Sequence, residues 1–310
     1  MKIKILLLLL SFSNAFFAQG TDFSSKEITV NEFIDGTLLI PNNIKVPNLA
    51  IIIAGSGPTD RNGNQNMLKN NSLKKLAEGL SSKGIATFRY DKRIVKQIRK
   101  GHLDMTISFD DFIADGISTL KYFKKSSSFN KIFIIGHSQG SLVGLVTAKQ
   151  GADGFISLAG AGKPIDQVII DQVTHTAPMF TEDTKRVFSI MKEGKTTTDF
   201  PQALTSIFNL EVQPFMMSWM DYNPQEEISD LKIPTLIING TKDLQVSEDE
   251  ANLLHKANPK SKLSIIKNMN HILVAIQGST LENSKSYNES QRKISEELIE
   301  VIISFVGNPE

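Results

Sequence analysis

From residue 48 onward the hydrophobic residues of this chain fall in short unbroken runs: "LAIIIAG", "GIATFRY", "KIFIIGHS", "GFISLAG", "PTLIING" and "KLSIIK". Strands buried on both faces of a parallel sheet carry such runs, whereas a half-exposed strand alternates apolar with polar residues. Helical stretches fall between them: "NSLKKLAEGLSSKG" with its glycine stop, "SFDDFIADGISTLKYFKK" with Ser108 placed as an N-cap, "SLVGLVTAKQG", "SEDEANLLHKA" and a closing "ESQRKISEELIEVIISFV". Strand and helix alternate, so the pattern predicts an α/β fold with a mostly parallel central sheet flanked by helices. Ahead of the first run, "KEITV" and "GTLLI" are separated by the turn residues Asp35 and Gly36 and closed by "PNN", which predicts an antiparallel edge.

One interval, about residues 162–230, breaks the alternation. It lacks a strand pattern and is helical and rich in Met and Phe, as in "PFMMSWM". An insertion of this size between two sheet strands predicts a helical cap over one end of the sheet. Its Met, Phe and single Trp read first as helix core and second as substrate lining. No repeat of solenoid or propeller length occurs.

At 310 residues, with 40% apolar and 22% charged residues, the chain has the make-up of a folded globular protein with one main domain. Its start, "MKIKILLLLLSFSNAFFAQG", adds a secretory signal peptide over residues 1–18: Lys2 and Lys4, then an apolar stretch, then small residues, with cleavage after Ala15 or Ala18. The apolar stretch is too short for a spanning helix of about 20 residues, so the mature domain, 19–310, is expected in the periplasm or medium without stable membrane insertion. Cysteine is absent, which removes disulfides and thiolate metal sites. Net charge is +1, with no basic stripe interleaved with aromatics, so nucleic acid is not an expected partner. The lysines of "YFKKSSSFNK" read as a solvated surface.

"IFIIGHSQGSLVG" carries the chemistry. Gly136, Ser138 and Gly140 make a G-x-S-x-G pattern where a buried strand passes into a helix, and that setting gives the pattern its weight. Residues two places either side of the serine must lack Cβ atoms for strand and helix to approach. A serine hydroxyl needs a base, and the base a partner that fixes its tautomer. Of five histidines, His137 lies inside the turn, expected to point away from the hydroxyl. His102 precedes the turn, His175 falls in the cap and His255 in a charged helix expected to be exposed. His271 follows the last strand at the carboxyl edge, and is the expected base. Asp243 follows another strand at the same edge and is the expected acid. Glu248 and Asp249 begin a helix, where capping explains them, and Asp221 and Asp230 precede the strand.

"GSGPTDRNGN", "FRYDKR", "IGHSQGS" and "NGTKD" with "NH" together resemble the α/β-hydrolases of the serine-aminopeptidase and monoacylglycerol-lipase-like group. More narrowly they are similar to secreted or periplasmic esterase D-like carboxylesterases. The likeness runs from about residue 27 to residue 305, and the order Ser138, Asp243, His271 agrees with it. Such relatives commonly continue "RYDKR" with a Gly-x-Gly-x-Ser turn. Here "RYDKRIVKQIRKGH" implies a loop of another shape after Arg93.

The resemblance gives "AGSGPTDRNG" an oxyanion-binding role, and physics favours the same one. Attack by the serine turns a carbonyl oxygen into an anion, and backbone N–H groups waiting for it are worth about 2.7–4 kcal/mol per donor. Gln139 N–H is one expected donor and Ser56 N–H the other, with Gly57 the alternative. A dinucleotide fingerprint is excluded by Pro58 and the polar loop after it, and a phosphate loop by the lack of Gly-Lys-Ser/Thr. Asp60 and Arg61, with Tyr90, Asp91, Lys92 and Arg93, read as a salt-bridge network bracing two loops.

The expected protein is therefore a serine hydrolase acting on small or medium carboxylic esters, with no metal or organic cofactor implied. A peptide amide or thioester is the enzymatic alternative, for which "DYNPQEE" offers an acidic cluster that could hold a substrate amino group. A non-catalytic ligand-binding protein of the same fold is the third reading. Acyl and alcohol preference and oligomeric state have no signature in the chain.

Overall fold

The computed structural model describes residues 22–309, so the leader expected at residues 1–18 lies outside the described residues. The first two segments form β1 (Phe23–Thr29) and β2 (Asp35–Pro41), an antiparallel pair. The six apolar runs form β3 (Leu49–Ile53), β4 (Ala86–Tyr90), β5 (Ile132–His137), β6 (Gly154–Leu158), β7 (Thr235–Gly240) and β8 (Lys262–Ile266). One sheet holds all eight in the order β1-β2-β4-β3-β5-β6-β7-β8, with β2 antiparallel to both its neighbours and every pairing from β4 onward parallel.

The helices in chain order are α1 (Ser72–Ser82), α2 (Arg93–Arg99), α3 (Phe109–Lys124), α4 (Gln139–Ala148), α5 (Ile165–Thr176), α6 (Thr181–Lys192), α7 (Thr205–Phe208), α8 (Gln213–Met220), α9 (Pro224–Ser229), α10 (Glu248–Ala257), α11 (Thr280–Ser286) and α12 (Glu296–Gly307). Alternation along β3 explains its unbroken run. Leu49, Ile51 and Ile53 enter a core with Phe109, Phe112 and Ile113 of α3 and Leu142 of α4, while Ala50 and Ile52 enter a second core with α1 and α12. Both faces are covered, so neither set of alternate residues can be polar.

Ser108 caps α3 through a reciprocal capping box with Asp111. The closing helix starts at Glu296 rather than near residue 289, because Ser295 caps it and the preceding Ile294 makes a bridge to Val274. Helices α2 and α11 had no counterpart among the expected elements. The five helices α5 to α9 occupy the interval between β6 and β7 and enclose a core of their own, with Val187, Phe188, Phe208 and Met216 buried.

Topology places the site. The chain passes from β3 to β4 on one side and then crosses to β5 on the other side of β3. Open α/β sheets form their crevice at such a switch point, outside the carboxyl ends of the strands.

Candidate active site

Ser138 is the hinge residue between β5 and α4, with φ 55° and ψ −123°. This backbone conformation is strained for a residue with a Cβ. The flanking glycines make it reachable. A Cβ on Gly136 would stand 2.1 Å from the carbonyl oxygen of Gly140, and one on Gly140 would stand 2.4 and 2.5 Å from the carbonyl oxygens of Ile53 and Ala54. Those obstacles are backbone and cannot rotate away. The amide of Ser138 donates to the carbonyl of Leu158 at 2.9 Å, tying the turn to β6. Helix α4 starts directly behind the serine and brings the positive end of its dipole to the turn.

His271 lies beyond β8, with its Nδ1 2.8 Å from Oδ2 of Asp243. Both side chains are buried. The other oxygen of Asp243 accepts from the amides of Gln245 and Val246 at 2.8 and 2.9 Å. The carboxylate faces Nδ1, so that nitrogen carries the proton and Nε2 keeps a lone pair. His271 and Ser138 line one cavity, with Gly55, Ser56, Gln245 and Tyr287.

Two supports for His271 escaped the sequence reading. Asn270 donates to Asn283 at 2.9 Å, and Asn283 donates to the carbonyl of Lys242 at 2.6 Å, so a buried amide pair ties the His271 loop to the Asp243 loop. His137 stands beside the base rather than merely away from the hydroxyl: its Nε2 is 2.8 Å from the carbonyl of His271. A carbonyl only accepts, so Nε2 carries the proton. Burial, with His271 adding to it, pushes His137 down to about 4 and keeps it neutral. Of the remaining histidines, His102 and His175 are exposed, while His255 is half-buried, against the exposure expected of it, because its Nδ1 meets Ser261 Oγ at 2.9 Å.

The loop after β3 lies against the turn. A Cβ on Gly55 would meet the Ser138 Cβ at 3.1 Å, and Ser56 and Gln139 line the cavities around the serine hydroxyl. The carbonyl of Ser56 accepts from Thr59 Oγ1 at 2.7 Å and Gln65 Nε2 at 2.9 Å, which fixes the peptide leading into Gly57.

The expected salt-bridge network divides. Arg61 does join the loops, donating through its amide, Nε and Nη2 to Asp91, which Arg99 also holds; Arg61 further pairs with Glu27. Asp60 is not in the network, because its carboxylate accepts from the amides of Asn62 and Asn64 within its own turn. Arg93 turns toward α3 instead, pairing with Asp111 at 2.6 Å and Asp115 at 2.7 Å, because it is the first residue of α2 and points across to that helix. Lys92 goes elsewhere again. Its ammonium reaches the carbonyl of Gly55 at 3.0 Å and Gln139 Oε1 at 2.7 Å, and sits 4.1 Å over the Phe112 ring. Burial pushes this lysine down to about 7, against the field of Asp115.

Two cavities of about 290 Å³ each open beside the turn and share Ser56, Gln139 and Trp219. One includes Ser138, Lys163 and Ile165; the other is mostly apolar, with Leu103, Met105, Ile107, Phe112 and Phe215. The "PFMMSWM" segment serves both expectations. Met216 is buried in the core of α5 to α9, whereas Phe215 and Trp219 pack on α3 and line the apolar cavity. Two carboxylates of "DYNPQEE" are engaged elsewhere and the third is exposed: Glu227 pairs with Lys149 on α4, Glu226 accepts from Asn223, and Asp221 lies at the surface.

The sheet order and its helices are those of the α/β-hydrolase fold, and solved structures agree. Est1E from Butyrivibrio proteoclasticus superposes with a TM-score of 0.56 at 15% identity, covering 92% of this chain and 99% of that one. The Pyrococcus furiosus esterase Pf2001 superposes at 0.56 with 16% identity, covering 93% and 91%. In sequence the chain is 25% identical over 285 residues to esterase EstD of Thermotoga maritima, a stretch that takes in 88% of this chain and 66% of that protein. The chain thus spans less than two thirds of that relative's length. No protein-family model matches it.

Proposed function

We propose that this chain is an exported carboxylesterase that cleaves small to medium esters through an acyl-enzyme. The observation that carries the reading is the strained Ser138, which shares a cavity with His271 while His271 holds a buried carboxylate through its other nitrogen. Sequence similarity to a protein named as an esterase supports the ester as substrate class.

In this mechanism Ser138 Oγ bonds to the acyl carbon as its proton passes to His271 Nε2, and Asp243 stabilises the imidazolium. The carbonyl oxygen takes the negative charge and is held by the amides of Ser56 and Gln139. Collapse breaks the ester bond, and His271 hands its proton to the departing alcohol. Water, deprotonated by the same histidine, then releases the acid and restores Ser138. The apolar cavity beside Ser56, about 290 Å³, receives the acyl chain. That volume is at the lower end for small-molecule sites, which favours short and medium chains. Helices α5 to α9 act as the cap that closes both cavities.

A peptidase would be favoured by a carboxylate near the serine to hold a substrate amine. Glu226 and Glu227 are engaged outside the cavities, and the cavity shared by Ser138 and Ile165 carries Lys163. Asp104 and Glu211 line the apolar cavity, but Asp104 accepts from the amide and hydroxyl of Thr106 and Glu211 is exposed. Export rests on the leader-like residues 1–18; none of the helices among the described residues is long and apolar enough to cross a membrane.

Hydrolysis of p-nitrophenyl acetate and butyrate, with aminoacyl anilides alongside, tests the reading. Ester turnover should fall by several orders of magnitude in Ser138→Ala. Retention of substantial turnover in that variant, or faster cleavage of anilides than esters by the wild type, would overturn it. The N-terminal residue of the protein recovered from the periplasm or medium tests export.

A further inference from the structure

Lys92 is a cation in the wrong place for a merely structural role. It is 5% exposed, projects from the carboxyl end of β4, and has no carboxylate partner within salt-bridge distance among the described residues. Burying an ammonium is costly, and an apolar side chain of the same length would avoid that cost. Its hydrogen bonds show what the amine does there. Nζ donates to the carbonyl of Gly55 at 3.0 Å and to Gln139 Oε1 at 2.7 Å, with the Phe112 ring on a further side. One side chain from the turn between β4 and α2 thus ties the loop after β3 to the first residue of the helix after β5, across three adjacent strands.

The Gly55 carbonyl and the Ser56 amide belong to the same peptide unit. That unit is planar and trans, so its C=O and N–H point in opposite directions. Fixing the carbonyl on Lys92 therefore aims the Ser56 N–H the other way. The unit lies against the nucleophile, since even a Cβ on Gly55 would stand 3.1 Å from the Ser138 Cβ. A hydrogen bond donated to the carbonyl also draws electron density from the peptide, which strengthens the N–H as a donor.

Resting on the hydrolase reading above, we propose that Lys92 is a positioning residue for the oxyanion hole: it sets the Gly55–Ser56 peptide and anchors Gln139, so that both amide donors are in place before charge develops. Ammonium and free amine can each donate both hydrogen bonds, so the role does not depend on the protonation state. Lys92 also lines the apolar cavity beside Ser56, but its donors are spent on Gly55 and Gln139, so it acts on the oxyanion through the two residues that hold it.

The test uses Lys92→Met, which keeps the length and removes the donors. Removing an oxyanion donor outright costs about 10²–10³ in kcat. Loosening the donors should cost less, about 10- to 100-fold, with KM changed less than about threefold. A trifluoromethyl ketone, which forms a hemiketal oxyanion on Ser138, should lose affinity by the factor lost in kcat/KM. The matching methyl ketone, which carries the same acyl chain into the cavity that Lys92 lines but forms no oxyanion, should bind as before. A merely structural role would lower the unfolding midpoint without separating these two inhibitors.

Because the chain has no cysteine, Lys92→Cys introduces its one thiol. Alkylation of that thiol with 2-bromoethylamine in denaturant, followed by refolding, rebuilds a lysine-length ammonium and should restore kcat. If neither variant folds, the wild-type complex with the trifluoromethyl ketone decides. The hemiketal oxygen must accept from Ser56 N–H while Gly55 O stays on Lys92, and a flipped Gly55–Ser56 peptide overturns the proposal. Wild-type kcat and trifluoromethyl ketone affinity in folded Lys92→Met overturn it as well. A wild-type chain that neither hydrolyses esters nor takes a fluorophosphonate on Ser138 instead defeats the hydrolase reading, and this inference with it.

Discussion

Asp243→Asn changes one atom, and its effect follows from which oxygen of Asp243 does what. Oδ1 accepts two backbone N–H bonds, from Gln245 and Val246, and Oδ2 faces His271 Nδ1 at 2.8 Å. An asparagine has one acceptor oxygen, and the two amides can be satisfied only by that oxygen. Its NH₂ must then face Nδ1, which becomes an acceptor and sends the ring proton to Nε2. In that tautomer His271 cannot take a proton from Ser138. The loss expected from a wrong tautomer is about 10⁴ in kcat, equivalent to about 5.5 kcal/mol. The backbone hydrogen bonds survive, so urea unfolding should show a stability close to wild type. Asp243→Ala abandons both amides; water can serve that of the exposed Gln245, but orphaning that of the buried Val246 costs about 1–3 kcal/mol, so that variant should lose stability as well as rate. Turnover of p-nitrophenyl butyrate and urea midpoints, measured on wild type and both variants, check this. A folded Asn variant with more than about a tenth of wild-type kcat, or one as unstable as the Ala variant, would mean that Asp243 does not set the tautomer of His271 in this way.

Ser138→Gly should be inactive yet more stable than Ser138→Ala by about 1–2 kcal/mol in urea titrations, because glycine relieves the positive φ. Burial holds His137 down at about 4. The unfolded chain therefore binds a proton near pH 6.5 that the folded chain refuses, and stability is lost as pH falls from about 6.5 toward 4. Wild type should lose on the order of 3 kcal/mol more than His137→Asn over that window, read from unfolding curves at graded pH. Arg93→Ala strips the buried Asp115 of its guanidinium partner and should cost about 3 kcal/mol of stability, with a smaller proportional change in kcat.

Short-range sterics and periodicity are legible from residue types alone. Unbroken runs such as "LAIIIAG" had to be strands covered on both faces, and β3 divides its residues between two cores as that requires. Gly136 and Gly140 around Ser138 marked the strained turn, because only residues without a Cβ fit its crossing. Asp243 and His271 could be found because each follows a strand whose carboxyl end must lie at the same edge of a parallel sheet. Short amphipathic helices were less legible. The stretch after Arg93 and residues 280–286 lack a distinctive period, and their helices follow from neighbours they pack against.

Tertiary structure alone decided the partners of polar groups far apart in the chain. Nothing in "RYDKR" separates Lys92 from Arg93, yet one reaches back to Gly55 and across to Gln139 while the other turns to Asp111 and Asp115. Lysine is ordinarily exposed, so pattern reading assigns it to a surface network. Likewise Asn270 and Asn283, and His137 with the carbonyl of His271, are joined across 13 and 134 positions. A hydrogen bond between distant segments leaves no periodicity behind. It forms only after the hydrophobic runs have stacked the strands, and the stacking selects which polar atoms meet.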